Sequence, residues 1–152
     1  MIRCHRFALP AVVLGLAYAT AFGGPIEDVG ATTDKWGAAF SELNADKIAG
    51  LYSSDAVLWG TFAPSMRNDP TAIREYFAVN FKGRSNANVS FGPRLVRVYG
   101  NTANSSGTYT ISFVLNGENR TLPARYSFTY RKDGDSWLIV DHHSSALPPP
   151  PK

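Results

Sequence analysis

Residues Trp137–Pro148 read W-L-I-V-D-H-H-S-S-A-L-P, and the reading of the whole chain turns on this stretch. A Trp, the apolar run Leu138-Ile139-Val140 and a closing Pro predict a last β-strand that is oily for half its length. Side chains on a strand alternate between faces. Trp137, Ile139, Asp141 and His143 are therefore expected on one side, and Leu138, Val140, His142 and Ser144 on the other. Both faces pass from apolar to ionisable at the same end. The rim of a pocket has this pattern, and so does a strand running out into solvent.

The strands before it form a series. Val89–Tyr99 reads as a strand interrupted at Gly92-Pro93, and Gly100-Asn101 as a turn. Thr108–Leu115 carries Tyr109, Ile111, Phe113 and Leu115 on one face. Asn116-Gly117 is a two-residue hairpin signal, because both central positions need a positive φ. Arg120–Arg131 is the next strand, Asp133-Gly134 the next turn, and Trp137–Ser145 the last strand.

Helix signals dominate the earlier half. Trp36, Ala39, Phe40 and Leu43 fall at i, i+3, i+4 and i+7 behind Thr32-Thr33-Asp34, which can cap a first turn. Ile48, Leu51 and Tyr52 mark a second, short helix, and Ala56–Phe62 a strand. Asp69-Pro70 is an N-cap followed by Pro at the first helical position. Ile73, Tyr76, Phe77, Asn80 and Phe81 then form one face of a third helix. Three helices followed by an antiparallel meander predict an α+β domain: a curved antiparallel sheet with helices on one face, enclosing a cone. The interior of such a cone suits a small molecule.

Length and charge narrow the class. A chain of 152 residues that is 44% hydrophobic and 18% charged has the composition of one folded domain with a real core. Residues 1–21 read as a secretory signal, with Arg3 and Arg6 before an apolar Phe7–Ala17 and a small-x-small site at Ala19-Thr20-Ala21. That apolar run is shorter than the roughly 20 residues a spanning helix needs, so stable membrane insertion is not expected. Secreted or periplasmic localisation follows, with residues 22–147 as the mature domain and 148–152 as a proline-rich tail. Without Arg3 and Arg6 the 15 basic side chains become 13 against 12 acidic ones, scattered along the chain, which gives a nucleic-acid surface little support. Cys4, the only cysteine, lies inside the signal, so the mature chain has neither a disulfide nor a thiolate site. His142 and His143 are adjacent and point to opposite faces, which argues against a metal site, and no cofactor is expected.

The ending carries a resemblance. Arg131-Lys132-Asp133-Gly134, Trp137, Ile139-Val140 and His143-Ser144-Ser145-Ala146-Leu147-Pro148 resemble the close of the calcium/calmodulin-dependent protein kinase II association domain. That family lies within the nuclear transport factor two-like, or SnoaL-like, superfamily, which also holds ketosteroid isomerases and polyketide cyclases. The resemblance implies a cone-shaped fold that self-associates through its sheet, as a homodimer or larger oligomer. It also implies a pocket lined by Arg and His that accepts a small carboxylate. Where the kinase hub has an Arg, this chain reads Thr108-Tyr109-Thr110-Ile111. The hub's H-x-H pair becomes Asp141-His142-His143, and its Arg before the turn is displaced by two residues to Arg125.

The candidate ligand-binding residues are Arg125, Asp141, His143, Tyr109 and Trp59. Whether Arg125 meets Asp141 depends on the last turn. With a two-residue Asp133-Gly134 turn, Tyr126 faces Asp141; with a three-residue Lys132-Asp133-Gly134 loop, Arg125 does. Two function classes follow. One is an exported binding and self-association domain with a pocket for a small polar or anionic ligand. The other is an isomerase- or cyclase-like enzyme with Asp141 or His143 as general base.

Overall fold

A computed structural model describes residues 23–149, so the predicted signal and the last residues of the proline tail lie outside the described residues. The first helix, α1 (Pro25–Ser41), starts earlier than the Thr32-Thr33-Asp34 cluster suggested. Pro25 at the first helical position and Glu27 and Asp28 in the first turn form the stronger start signal. Thr32 and Thr33 instead lie within the helix and donate their hydroxyls back to the Asp28 and Val29 carbonyls, at 3.0 Å each. A short helix, α2 (Ala45–Ala49), is capped by the Asn44 side chain, which accepts from the Lys47 amide at 2.9 Å. The first strand, β1, covers Tyr52–Trp59, a frame earlier than the predicted Ala56–Phe62. Helix α3 (Pro70–Phe81) begins as predicted, with Asp69 accepting from the Ala72 amide at 2.9 Å.

Four long strands follow: β2 (Arg84–Tyr99), β3 (Thr102–Leu115), β4 (Glu118–Asp133) and β5 (Ser136–Ala146). The five strands form one sheet in the order β1-β5-β4-β3-β2. Neighbours among β2 to β5 are antiparallel and joined by hairpins, and Asn116-Gly117 makes the β3–β4 turn with both residues at positive φ. The expectation of a wholly antiparallel sheet fails at one edge, where β1 pairs with β5 in parallel. Those two strands are separated in sequence by α3 and three strands, so no hairpin fixes their relative direction.

The helices cover one face of the sheet. Trp36 of α1 is at the centre of the core, stacked on Tyr109 at 5.7 Å and edge-on to Phe77, Phe128 and His142. Tyr126, Phe128 and Tyr130 of β4 are buried against this layer, so the apolar β4 face meets the helices. The opposite face of β3 and β4 carries Asn104, Ser106, Thr108 and Thr110 against Thr129, Ser127, Arg125 and Pro123.

A bulge in β5 sets the position of every polar residue after it. The last turn is Gly134-Asp135, with Asp133 opposite Ser136, a register different from both alternatives the sequence left open. Tyr130 pairs with Ile139, but Thr129 pairs with Asp141, leaving Val140 as the extra residue. The alternation therefore slips by one. Trp137 and Ile139 face the core, and after the bulge His142 and Ser144 do, while Asp141 and His143 are turned outward.

Candidate functional site

Inside the cone, between α1, α3 and the sheet, lies a cavity walled by Trp36, Thr61, Phe62, Tyr76, Asn80, Arg84, Tyr109, His142 and Ser144. Its free volume is about 20 Å³, room for a single water. Aromatic rings fill most of the cone's interior.

His142 is held there by a chain of hydrogen bonds. The Trp36 indole nitrogen can only donate, and it lies 3.0 Å from the Tyr52 hydroxyl. That hydroxyl lies 2.8 Å from His142 Nδ1. We assign Tyr52 as the donor to Nδ1, because this arrangement also uses the hydroxyl hydrogen; the neutral imidazole then carries its proton on Nε2. That atom is buried and has no partner. Burial, and secondarily the charge of His143, push the His142 pKa down to about 3, so the ring is neutral at ordinary pH. Phe128, with its centroid 4.1 Å away, and the edge of Trp36 keep the ring in place.

Arg84 is the first residue of β2, reached from α3 through Gly83, whose φ of +73° needs a residue without a Cβ. Its guanidinium lies over the Phe113 ring at 4.0 Å and the Phe62 ring at 5.3 Å. Nη2 makes a long contact of 3.4 Å to Asn80 Oδ1, and Nη1 is buried without a partner. Arg84 takes part in none of the five ion pairs among the described residues. Burial lowers its pKa, but a guanidinium starts so high that it keeps its charge. The cavity is thus bordered by a half-buried cation that has no ion-pair partner among the described residues.

Hydroxyls complete the wall. Ser144 Oγ lies 2.5 Å from both Thr61 Oγ1 and the Tyr109 hydroxyl, joining the two in one hydrogen-bonded group. Burial pushes the Tyr109 pKa upward, so Tyr109 stays protonated. No carboxylate among the described residues lines the cavity. Among the described residues no group of three or more His, Cys, Asp and Glu is placed to hold a metal.

The structure separates the residues predicted as one site. Tyr109 does line the cavity. Trp59 does not: it ends β1 on the outer face, 46% exposed, paired with His143. Arg125, Asp141 and His143 also share the outer face. Arg125 pairs with Ser145 and donates to its hydroxyl at 3.1 Å, and Asp141 pairs with Thr129. Arg125 and His143 border a shallow outer depression of about 150 Å³. Partial burial raises the Asp141 pKa, and the charge of His143 works against that rise. The physical reason for the correction is Val140, which exchanges the two faces from Asp141 onward. Sequence reasoning missed Arg84, His142 and Ser144. His142 and Ser144 were legible as a pair sharing one face, but were assigned to the wrong side. Arg84 gives no signal beyond being a cation directly after an aromatic helix.

The sequence matches the calcium/calmodulin dependent protein kinase II association domain family over residues 26–148. A Xanthomonas campestris protein provisionally named as such a domain is 35% identical, with a TM-score of 0.75 over 87% of this chain and 94% of its own. A ketosteroid isomerase-like protein from Erwinia carotovora atroseptica is 17% identical, with a TM-score of 0.71 over 84% of this chain and 100% of its own. A nuclear transport factor two-like superfamily protein from Salmonella enterica is likewise 17% identical, with a TM-score of 0.71 over 82% of this chain and 92% of its own. These last two share the fold and no more. No curated protein matches the sequence. With its nuclear transport factor two-like fold and a match that spans nearly all the described residues, the chain belongs to the calcium/calmodulin-dependent protein kinase II association-domain family.

Proposed function

We propose that this protein is an exported self-association domain whose interior site binds a small anionic ligand through Arg84 and His142. The observation that carries the binding reading is a half-buried guanidinium without an ion-pair partner, one of whose nitrogens is buried and unpartnered, beside a cavity that also receives an unpartnered imidazole N–H. Buried donors left without an acceptor are unfavourable, so a site of this kind is best explained by an anion that completes it. Both groups are donors, so the ligand presents acceptors, as a carboxylate does.

Membership in the association-domain family supports self-association. The outer face of the sheet supplies a surface for it. Among the described residues no helix covers that face, and one row across all five strands reads Leu95, Ser106, Ser127, His143 and Trp59, with Leu95 59% and Trp59 46% exposed. On this reading Arg125, Asp141 and His143 serve the contact between copies. The enzyme alternative has weaker support. Its proposed bases are on the outer face, and the histidine inside the cone has its free nitrogen protonated. Export rests on residues 1–21.

Native mass spectrometry of the protein recovered from its own host's exported fraction tests all three parts. The expected result is a chain lacking its first 21 residues, in a symmetric oligomer, with a small acidic adduct that denaturation releases and that Arg84→Met lacks. A bare monomer would contradict both assembly and binding, and an uncleaved chain would contradict export.

A further inference from the structure

A second space lies directly outside the cavity. It is an open groove of about 450 Å³ between α3 and the loop that follows β1, and it shares Phe62, Tyr76 and Asn80 with the cavity, so these three side chains are the wall between the two. The groove is apolar where it meets that wall: Phe62 and Val79 are 48% and 73% exposed, a concentration of oily surface that folding alone does not require. Its two charged residues, Arg67 and Glu75, cancel, so it offers no gain to a second anionic group.

The wall is tied firmly at its base and weakly at its tip. Leu58 and Arg67 exchange two backbone hydrogen bonds of 2.7 and 3.0 Å, which close the loop at its base. At its tip the Phe62 amide reaches the Tyr76 hydroxyl only at the limiting distance of 3.5 Å. An outward displacement of Phe62 is the movement that a ligand spanning cavity and groove requires.

We propose that the ligand is a monocarboxylate carried on an apolar body, with its carboxylate at Arg84 and His142 and its body in the groove along Phe62 and Val79. This rests on the anion site proposed above. The cation marks where the polar end sits, the neutral apolar groove marks where the rest lies, and the shared wall makes them one site.

Calorimetric titration of the mature protein with octanoate, acetate and 1-octanol tests it. Octanoate is expected to bind about 100-fold more tightly than acetate, since several methylenes leave water, and more tightly than 1-octanol by a similar factor. Val79→Gln, a change on an exposed helix surface, is expected to weaken octanoate about 5-fold and leave acetate unchanged. Arg84→Met is expected to abolish the advantage of octanoate over 1-octanol. Equal affinity for acetate and octanoate would overturn the apolar body and leave the anion site standing. Equal affinity for octanoate and 1-octanol, unmoved by Arg84→Met, would overturn the anion site itself. Failure of all three probes to bind at about 10 mM would overturn both.

Discussion

On the inner face of the sheet, His142 is enclosed by Trp36, Phe128 and Tyr52, neutral, and held at Nδ1 by the Tyr52 hydroxyl. On the outer face His143, the next residue, is exposed among Arg125, Ser127 and Ser145 and across from Trp59. The same side chain serves as a fixed hydrogen-bond donor in one place and as a surface group in the other. Alternation alone puts the two on opposite faces, and one unpaired residue, Val140, decides which of them is inside. The comparison teaches that in this fold the identity of the site residues is decided by register, and register by a bulge.

The largest effect is expected from putting the wrong side chain on the inner face. Exchanging the neighbours, Asp141→His together with His142→Asp, would place a carboxylate among Trp36, Phe128 and Tyr52. Burying an unpaired ionised group costs several kcal/mol, comparable to the about 5 kcal/mol that many domains have in reserve, so the variant should not fold. Chemical denaturation followed by tryptophan fluorescence would show this. A variant of near-normal stability would mean that position 142 does not face the core.

A smaller effect sharpens the contrast between the histidines. The folded pKa of His142, about 3, lies below its ordinary value of 6.5, so between these pH values the unfolded chain binds a proton that the folded chain refuses. Stability from this group is full above pH 6.5 and is lost as pH falls toward 3, by roughly 5 kcal/mol across the window. His142→Gln should remove that part of the acid sensitivity. His143→Gln, an exposed change, should leave it in place and alter stability by less than about 0.5 kcal/mol. Urea melts at a series of pH values would separate the two, and equal pH slopes for both variants would erase the distinction.

Much of the fold was legible because its signals are local. The Asp69-Pro70 start of α3, the Asn116-Gly117 turn and the inward face Tyr109, Ile111, Phe113 each follow from neighbouring residues and their period. The start of α1 was misplaced because Thr32 and Thr33 look like caps but satisfy their hydroxyls within the helix. The candidate site was harder to read because it depends on pairings between distant parts of the chain. The bulge at Val140 is a property of how β5 fits both β4 and β1, and no residue of the stretch announces it. Arg84 matters because Phe62 and Phe113, far away in sequence, bracket it without a carboxylate nearby. Of the five candidate ligand-binding residues named from the sequence, only Tyr109 lines the cavity, and it was placed by the alternation of β3, which pairs with β4 without a bulge.

The most direct test is a long-range proton–nitrogen correlation spectrum of the histidine side chains, recorded from pH 8 to pH 4 with and without octanoate. The expected result is a His142 ring protonated on Nε2, unchanged across that range, whose Nε2 signal moves when octanoate is added while that of His143 does not. A His142 that carries its proton on Nδ1 or titrates near 6.5, with His143 responding to octanoate instead, would contradict the assignment of the site to the inner face.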